Sequence, residues 1–448
     1  MNQENMARTL AELVAAQGGR VYYVGGFVRD RLLGIENKDV DVEVHGIAPE
    51  ALEAILDGLG TRLEMGSSFG VYGLKGWSLD IAMPRQEEAI GRGHKDFKVS
   101  VDPFIGTRKA ALRRDFTINA MMEDVLTGEV VDHFGGREDL KQKVLRHVSD
   151  RSFPEDALRV LRCAQFAARF EFQIAPETMA LCRGLELRHL PRERILEETR
   201  KALLKAEKPS IFFQVLRDMG QLRDWFPEVE ALSGVPQPEK YHAEGDVWNH
   251  TMRVLDAAAR RREQVTNPTG FLLAALCHDF GKAVCTKTVD GVIHAYNHET
   301  EGLPLVKAFL NRITGEKSLI SYVLNMVELH MKPNKMAQTA SVKAMTRLFD
   351  RSVAPEDLIH LASCDEAGRI LQEPRASVEP VLWQRYAVFQ EYMSRPYVMG
   401  ADLVAAGLKP GKDFHQLLEY AHKLRLAGVG KEAALKQVLA QARKCPDG

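Results

Sequence analysis

The sequence predicts an α+β protein, with a mixed sheet head ending near residue 138 and a helical remainder. Three observations predict it. In the run Val21 to Val44, VYYVGGFVRDRLLGIENKDVDVEV, two strand patterns bracket a glycine turn and a short helix. From Arg137 onward the apolar spacing is that of helices, and strand signals become few. At 448 residues with 45% hydrophobic content, the chain has room for two to four domains with cores of their own.

Taken in order, residues 5–17 read as an amphipathic helix packed on the first strand, Val21–Val24. Gly25-Gly26 follows that strand; a glycine pair permits positive φ and close backbone approach, leaving amide N–H groups to hold phosphates. Arg29 sits beside it. In Asp39-Val40-Asp41-Val42-Glu43-Val44 the alternation has period two, so a strand sends three valines to one face and three carboxylates to the other. Aspartates at i, i+2 on a strand repel each other unless a multivalent cation lies between them, and Mg²⁺ takes carboxylates together with waters and phosphates. A solvated strand face is the other reading of the same pattern.

Pro49–Leu59 again has helical spacing, and Trp77-Ser-Leu-Asp-Ile-Ala reads as a strand. Its Asp80 is a candidate third carboxylate for a two-metal site, or a salt-bridged strand acid. Residues 85–104 are charged, contain glycines and lack apolar periodicity, which predicts a mobile loop. In Ala111–Met121, Arg113 and Arg114 precede Asp115: an arginine pair suits phosphate oxygens, or forms a surface ion pair. Asp132-His-Phe-Gly-Gly is a turn that closes the head. Glu155–Arg162 then places Asp156 and Arg159 at i, i+3 on one helix face, with Leu158, Leu161 and Ala164 turned to the core. Such a pair is a solvated helix ion pair, or a base reader: a carboxylate that accepts and a guanidinium that donates match the edges of cytosine and adenine, and mismatch uracil and guanine.

The stretch GGFVRDRLLG followed by KDVDVEV resembles motif A of the class II tRNA nucleotidyltransferases and bacterial poly(A) polymerases. The resemblance implies a nucleotidyltransferase (polymerase-β-like) head in which Asp39 and Asp41 hold Mg²⁺ and Gly25, Gly26 and Arg29 lie at the nucleotide phosphates. RRDFTINAM resembles the family's second motif, which gives Arg114 and Asp115 nucleotide and sugar contacts. A flexible loop at 85–104 is associated in the family with completing the terminal adenosine. EDALRVLR resembles the family's amino-acid template for the incoming base, implying that role for Asp156 and Arg159 with Arg162 nearby; Gln165 stands where relatives often carry arginine. PRERILEE resembles the last neck motif, in which Glu193 and Arg194 support the template.

A second set, His250, His278-Asp279 within LLAALCHDFGK, His298, His330 and Asp365, resembles the HD phosphohydrolase superfamily. It implies a divalent transition metal on His250, His278, Asp279 and Asp365, with His298 and His330 extending the pocket. Residues 375–448 look like the helical tail of the same nucleotidyltransferases, two helices punctuated by Met399–Gly411, expected at the tRNA elbow. The implied layout is a head over 1–138, a helical neck over 139–225, an HD domain over 226–372 and a tRNA-binding tail over 373–448. The expected partners are the 3′ end and acceptor region of tRNA, CTP and ATP.

Composition excludes little of this. With 60 Lys and Arg against 61 Asp and Glu, RNA must be met by local basic surface and not by a global field. Six cysteines without a CxxC, a polar N-terminus and the lack of a long apolar run predict a reduced, cytoplasmic protein with no membrane segment. The rival readings are a poly(A) polymerase, an enzyme adding only part of CCA, and an HD hydrolase with an RNA-binding head. Against the polymerase stands Gly66-Ser-Ser-Phe-Gly-Val, where such enzymes carry a basic patch.

Overall fold

The computed structural model describes residues 2–66, 70–89, 97–373, 375–411 and 413–443. The chain divides into two units, Met1–Trp225 and Phe226–Gly448.

In the first unit the helix Gln3–Ala15 starts where the Asn2 side chain accepts from the Asn5 amide at 2.9 Å, and it buries Met6, Leu10 and Val14. The strands are β1 (Arg20–Val24), β2 (Val40–His45), β3 (Arg62–Gly66), β4 (Val71–Leu74), β5 (Leu79–Ala82), β6 (Arg85–Ala89), β7 (Phe97–Val101), β8 (Met122–Asp124) and β9 (Val130–Val131). Seven of them form one sheet in the order β3-β4-β5-β2-β1-β8-β9. Only the β2–β5 pair is parallel, which makes the sheet mixed. Val40, Val42 and Val44 are buried, as the period of two requires. Asp41 and Glu43 share the opposite face, and Asp39 lies exposed just before the strand.

Residues 85–104 depart from the expected loop. β6 and β7 pair antiparallel, from Arg85 opposite Val101 to Ala89 opposite Phe97. A hairpin ladder is made by the backbone and does not need an apolar stripe, so the missing periodicity misled. Residues 90–96, at the centre of that expectation, lie outside the described residues, as do 67–69 of the Gly66–Val71 segment and Cys445.

The head closes at Asp132, whose carboxylate accepts from the amides of Gly136 and Arg137 at 2.9 Å each. Gly136 permits this packing: a Cβ there would lie 2.2 Å from the Thr117 carbonyl oxygen. Beyond it come the helices Leu158–Phe170, Pro176–Arg183, Arg192–Lys205 and Ser210–Asp218. The neck is not purely helical, because Val144–Leu145 pairs in parallel with Gln173–Ile174. Leu158, Leu161 and Ala164 are buried as expected, in the helix that packs on Arg192–Lys205. Asp156 is not on that helix. It sits before it in extended conformation (φ −127°, ψ 100°), and its carboxylate accepts from the Leu158 amide at 3.0 Å. A short acceptor side chain satisfies an amide that the first helical turn leaves without an intrahelical partner, which is why aspartate ends up here.

In the second unit, Pro268–Cys277 is apolar on all sides and buried from Gly270 to Cys277, the pattern of a central helix. Val247–Ala259, Lys317–Leu329 and Pro355–Gly368 pack around it. Lys287–Val289 and Val292–His294 form a small antiparallel hairpin. The tail has a core of its own, built on Leu403, Leu417, Ala421, Ala434 and Val438. Its punctuating segment holds a further short helix, Gly400–Ala405, between Glu379–Ser394 and Asp413–Leu426. Among the described residues, no helix is long and apolar enough to cross a membrane.

Candidate functional site

The first unit carries a cleft of about 1400 Å³. Its sheet side is lined by Gly25, Gly26, Asp39, Asp41, Arg114 and Asp115, and its helical side by Asp156, Arg159, Arg162, Gln165 and Arg194. Gly25 turns the chain out of β1 with φ +65°, and a Cβ there would lie 2.9 Å from an Arg114 guanidinium nitrogen. Asp41 on β2 stands in register with Asp80 on β5. Burial, then the neighbouring Asp80 and Asp39, push the Asp41 carboxyl up to about 6 against the opposing pull of Arg114. A carboxylate that resists ionisation beside two others is suited to a cation. The residues therefore fit a divalent ion.

Glu43, two residues along the same face, has its cations within the protein. His45 Nε2 lies 2.9 Å from Oε1, while Arg113 and Arg114 lie 3.3 and 3.6 Å from Oε2. Burial opposes its ionisation, yet these three partners hold it down at about 2. Arg114 is thus fixed between Glu43 and the Asp41 face.

Arg29 is buried; it donates to Asp30 Oδ1 and, at 2.6 Å, to Asn119 Oδ1, with its guanidinium 4.7 Å from the Phe170 ring centroid. Asp115 accepts from the Phe116 amide, Asn119 and Arg162, whose Nε is 2.7 Å from Oδ2. Despite burial, these bonds and the Arg162 charge keep its carboxyl below the usual range. The Asp156 carboxylate pairs with Arg194 at 2.8 Å, while Arg159 donates to the carbonyls of Ser152 and Arg113. Glu193 points to solvent and pairs with Arg192.

The second unit gathers His250, His278, Asp279, His298, His330 and Asp365 in its interior, all nearly inaccessible. Three of the imidazoles are set alike: Nδ1 of His278, His298 and His330 meets the carbonyl three residues back, at 2.8, 2.9 and 2.6 Å. That bond fixes the proton on Nδ1 and turns the Nε2 lone pair inward. None of the three Nε2 atoms has a hydrogen-bond partner, and those of His278 and His298 each lie 3.2 Å from an Asp279 oxygen. His250, His278 and Asp279 form one group able to grip a metal, and Asp279, His298 and His330 another. Inward, unpartnered imidazole nitrogens around a shared carboxylate fit a divalent metal. Burial pushes His330 down to about 3. Asp365 lies 3.1 Å from His250 Nε2 and is held by Arg369 at 2.6 Å.

Three protein families match the chain: the Poly A polymerase head domain over residues 21–146, the probable RNA and SrmB-binding site of polymerase A over 171–232, and the HD domain over 247–363. The multifunctional CCA protein of Actinobacillus pleuropneumoniae serotype 5b (strain L20) is 40% identical over 326 residues, 71% of this chain and 77% of that protein. The chain belongs to the CCA-adding tRNA nucleotidyltransferases that carry an HD domain. Among solved structures, a CCA-adding enzyme with ATP is 22% identical at a TM-score of 0.65, covering 99% of this chain and 95% of that one. The Bacillus stearothermophilus CCA-adding enzyme in complex with CTP gives the same TM-score of 0.65 at 19% identity, covering 99% of each chain. At such identities they bear on the fold alone.

Sequence reasoning missed Glu43 as an anchor for Arg113 and Arg114, and it missed Asn119. It also missed Glu244, which accepts from Nδ1 of both His242 and His250 at 2.7 and 2.9 Å and from the Ile370 amide at 2.8 Å. Glu244 lies six residues from His250, before the helix Val247–Ala259 that carries it, so no helical spacing links the two. The one available signal was an acid, in Tyr241-His-Ala-Glu-Gly-Asp, between His242 and His250.

Proposed function

We propose that the first unit adds the 3′-terminal CCA to tRNA from CTP and ATP, in the cytoplasm, and that the HD unit is a metal-dependent phosphohydrolase acting on 2′,3′-cyclic or terminal phosphates. The observation that carries the first activity is Asp41, in register with Asp80 on the neighbouring strand, lining with Asp39 a cleft whose helical side holds Asp156 and Arg159. At about 1400 Å³ the cleft exceeds the roughly 300–1,000 Å³ of an ordinary small-molecule pocket, so a nucleoside triphosphate and an RNA end fit together.

Asp39 and Asp41, with Asp80 beside them, would hold Mg²⁺, which when bound stabilises the attacking and leaving oxygens of phosphoryl transfer. The tRNA 3′-oxygen bonds to the α-phosphorus, the α–β bridging bond breaks, and pyrophosphate departs. Gly25 and Gly26 let the triphosphate approach the backbone, and Arg114, steadied by Glu43, meets its charge. Asp156 accepts from the exocyclic amino group that cytosine and adenine share, while Arg159 donates to the neighbouring ring nitrogen. Arg29, Asp115 and Arg162 position these groups: Arg29 anchors Asn119 and Asp115 anchors Arg162. The basic residues of the tail meet the tRNA elbow.

In the HD unit His250, His278, Asp279 and Asp365, with His298 and His330, would hold a divalent transition metal, whose chemistry there is activation of water. The water oxygen bonds to phosphorus, one ester P–O bond breaks, and the released ribose oxygen takes a proton. The test for the first activity is to incubate the protein with tRNAs ending before C74, after C74 and after C75, with CTP, ATP or both, and read products at nucleotide resolution. Stepwise C, C, A and then arrest supports the proposal; a run of A, or arrest after C75 with both nucleotides present, overturns it.

A further inference from the structure

We propose that the cavity beside the HD histidines is a nucleotide subsite, in which Gln237 donates to a phosphoryl oxygen and Tyr241 covers the base of the ribonucleotide whose ester is cleaved. This rests on the phosphohydrolase reading of the HD unit. The cavity has a volume of about 220 Å³ and two characters: its polar lining includes His298, Lys282, Gln237 and Arg369, and its apolar lining includes Tyr241, Ile293 and Met331.

Gln237 is 8% exposed, and its Oε1 accepts from Lys282 Nζ at 2.8 Å. An ammonium only donates, so the amide oxygen must face it and the amide nitrogen must look elsewhere. That nitrogen is buried and has no acceptor. A buried donor left unmet is costly, and an oxygen-rich ligand in the cavity would meet it. Lys282 in turn lies 2.7 Å from Asp279, so Gln237 is one residue removed from the histidine cluster. The polar end therefore suits a phosphate ester next to His298.

A bare phosphate would leave the apolar wall without a role. Tyr241 is 41% exposed, and its ring centroid lies 5.6 Å from Lys240 Nζ and 5.8 Å from the Arg375 guanidinium carbon. An aromatic face at the mouth of a phosphate pocket, with cations around it, is the arrangement that stacks a nucleobase. The volume, below the roughly 300 Å³ of the smallest ordinary ligand pockets, limits the occupant to one terminal nucleotide.

The test uses the full-length protein loaded with a divalent transition metal and two cyclic phosphodiesters, adenosine 2′,3′-cyclic phosphate and glycerol 1,2-cyclic phosphate, which lacks a base. Tyr241→Ala should lower the ratio of kcat/KM for the adenosine over the glycerol substrate about tenfold, through KM, and Tyr241→Phe should restore it. Gln237→Glu keeps the acceptor for Lys282 and removes the donor; it should lower kcat/KM for both substrates about tenfold or more with their ratio kept. A ratio unmoved by Tyr241→Ala, or unmoved rates in Gln237→Glu, overturns the proposal. Hydrolysis of neither substrate by the wild type would instead defeat the phosphohydrolase reading. The subsite is then decided by binding: adenosine 2′-phosphate should quench the added fluorescence of Tyr241→Trp where glycerol 2-phosphate does not, and no quenching by either overturns the subsite.

Discussion

Asp156 is paired with Arg194, 38 residues along the chain, whose two guanidinium nitrogens lie 3.3 and 2.8 Å from its two oxygens. The carboxylate that we assign to base reading is thereby held from the neighbouring helix, Arg192–Lys205, as well as by the Leu158 amide. Its orientation is built in before any nucleotide arrives.

Removing the Asp156 acceptors should therefore cost selectivity more than triphosphate affinity. A buried group left without its partner loses about 1–3 kcal/mol, roughly a factor of 5 to 150. Single-turnover incorporation of CTP, ATP, UTP and GTP by Asp156→Ala should show discrimination against UTP and GTP falling within that range, with Arg194→Met showing a smaller loss in the same direction. If both variants are slower yet keep the wild-type ratios, Asp156 is a helix cap and ion-pair residue only.

Glu244 makes His250 unlike the other three imidazoles, because its Nδ1 partner is a carboxylate and not a carbonyl. A carboxylate partner raises the basicity of a metal-binding imidazole, and loss of such a partner typically costs about 10–100-fold in metal affinity. Glu244→Gln should weaken metal binding to the second unit by that order, measured by competition with a chromophoric chelator. Affinity equal to wild type would show that Glu244 serves only His242 and the loop containing Ile370.

Much of this was legible beforehand, and the limits have physical causes. The period of two in Asp39–Val44 was enough to place Val40, Val42 and Val44 in the core and Asp41 on the open face, because alternation on a strand leaves no other choice. The parallel pairing that brings Asp80 beside Asp41 is a long-range event that the pattern only suggested. The i, i+3 spacing of Asp156 and Arg159 invited a shared helix face, but the turn Phe153–Glu155 delays the helix to Leu158. By alternation alone Glu43 is the third carboxylate of the acidic face. Its cations come from Arg113 and Arg114, 70 and 71 positions away, which no local rule connects.

That Glu43 cluster has a pH signature. Its carboxyl is held at about 2 in the fold against an ordinary 4.5, so its contribution is fully present above about pH 4.5 and is lost as the pH falls toward 2. The depression corresponds to at most about 3 kcal/mol. Urea unfolding of the wild type and of Glu43→Gln should differ by up to that amount at pH 7 and converge progressively below pH 4.5. A difference that does not change with pH would mean that packing, and not the charge, makes Glu43 matter.

The most direct test of metal-assisted nucleotidyl transfer in the cleft is single-turnover CCA addition by Asp41→Ala beside the wild type, on tRNA lacking its last three nucleotides, with CTP, ATP and Mg²⁺. We expect wild type to add C, C and A, and the variant to add nothing while it still binds tRNA and unfolds at the wild-type urea midpoint or above, since burial and the neighbouring Asp80 and Asp39 disfavour the ionised Asp41 carboxylate in the fold. Turnover above about a tenth of wild type would contradict the assignment of Asp41 as a ligand of the catalytic ion, since loss of a transition-state interaction of about 3–4 kcal/mol leaves far less.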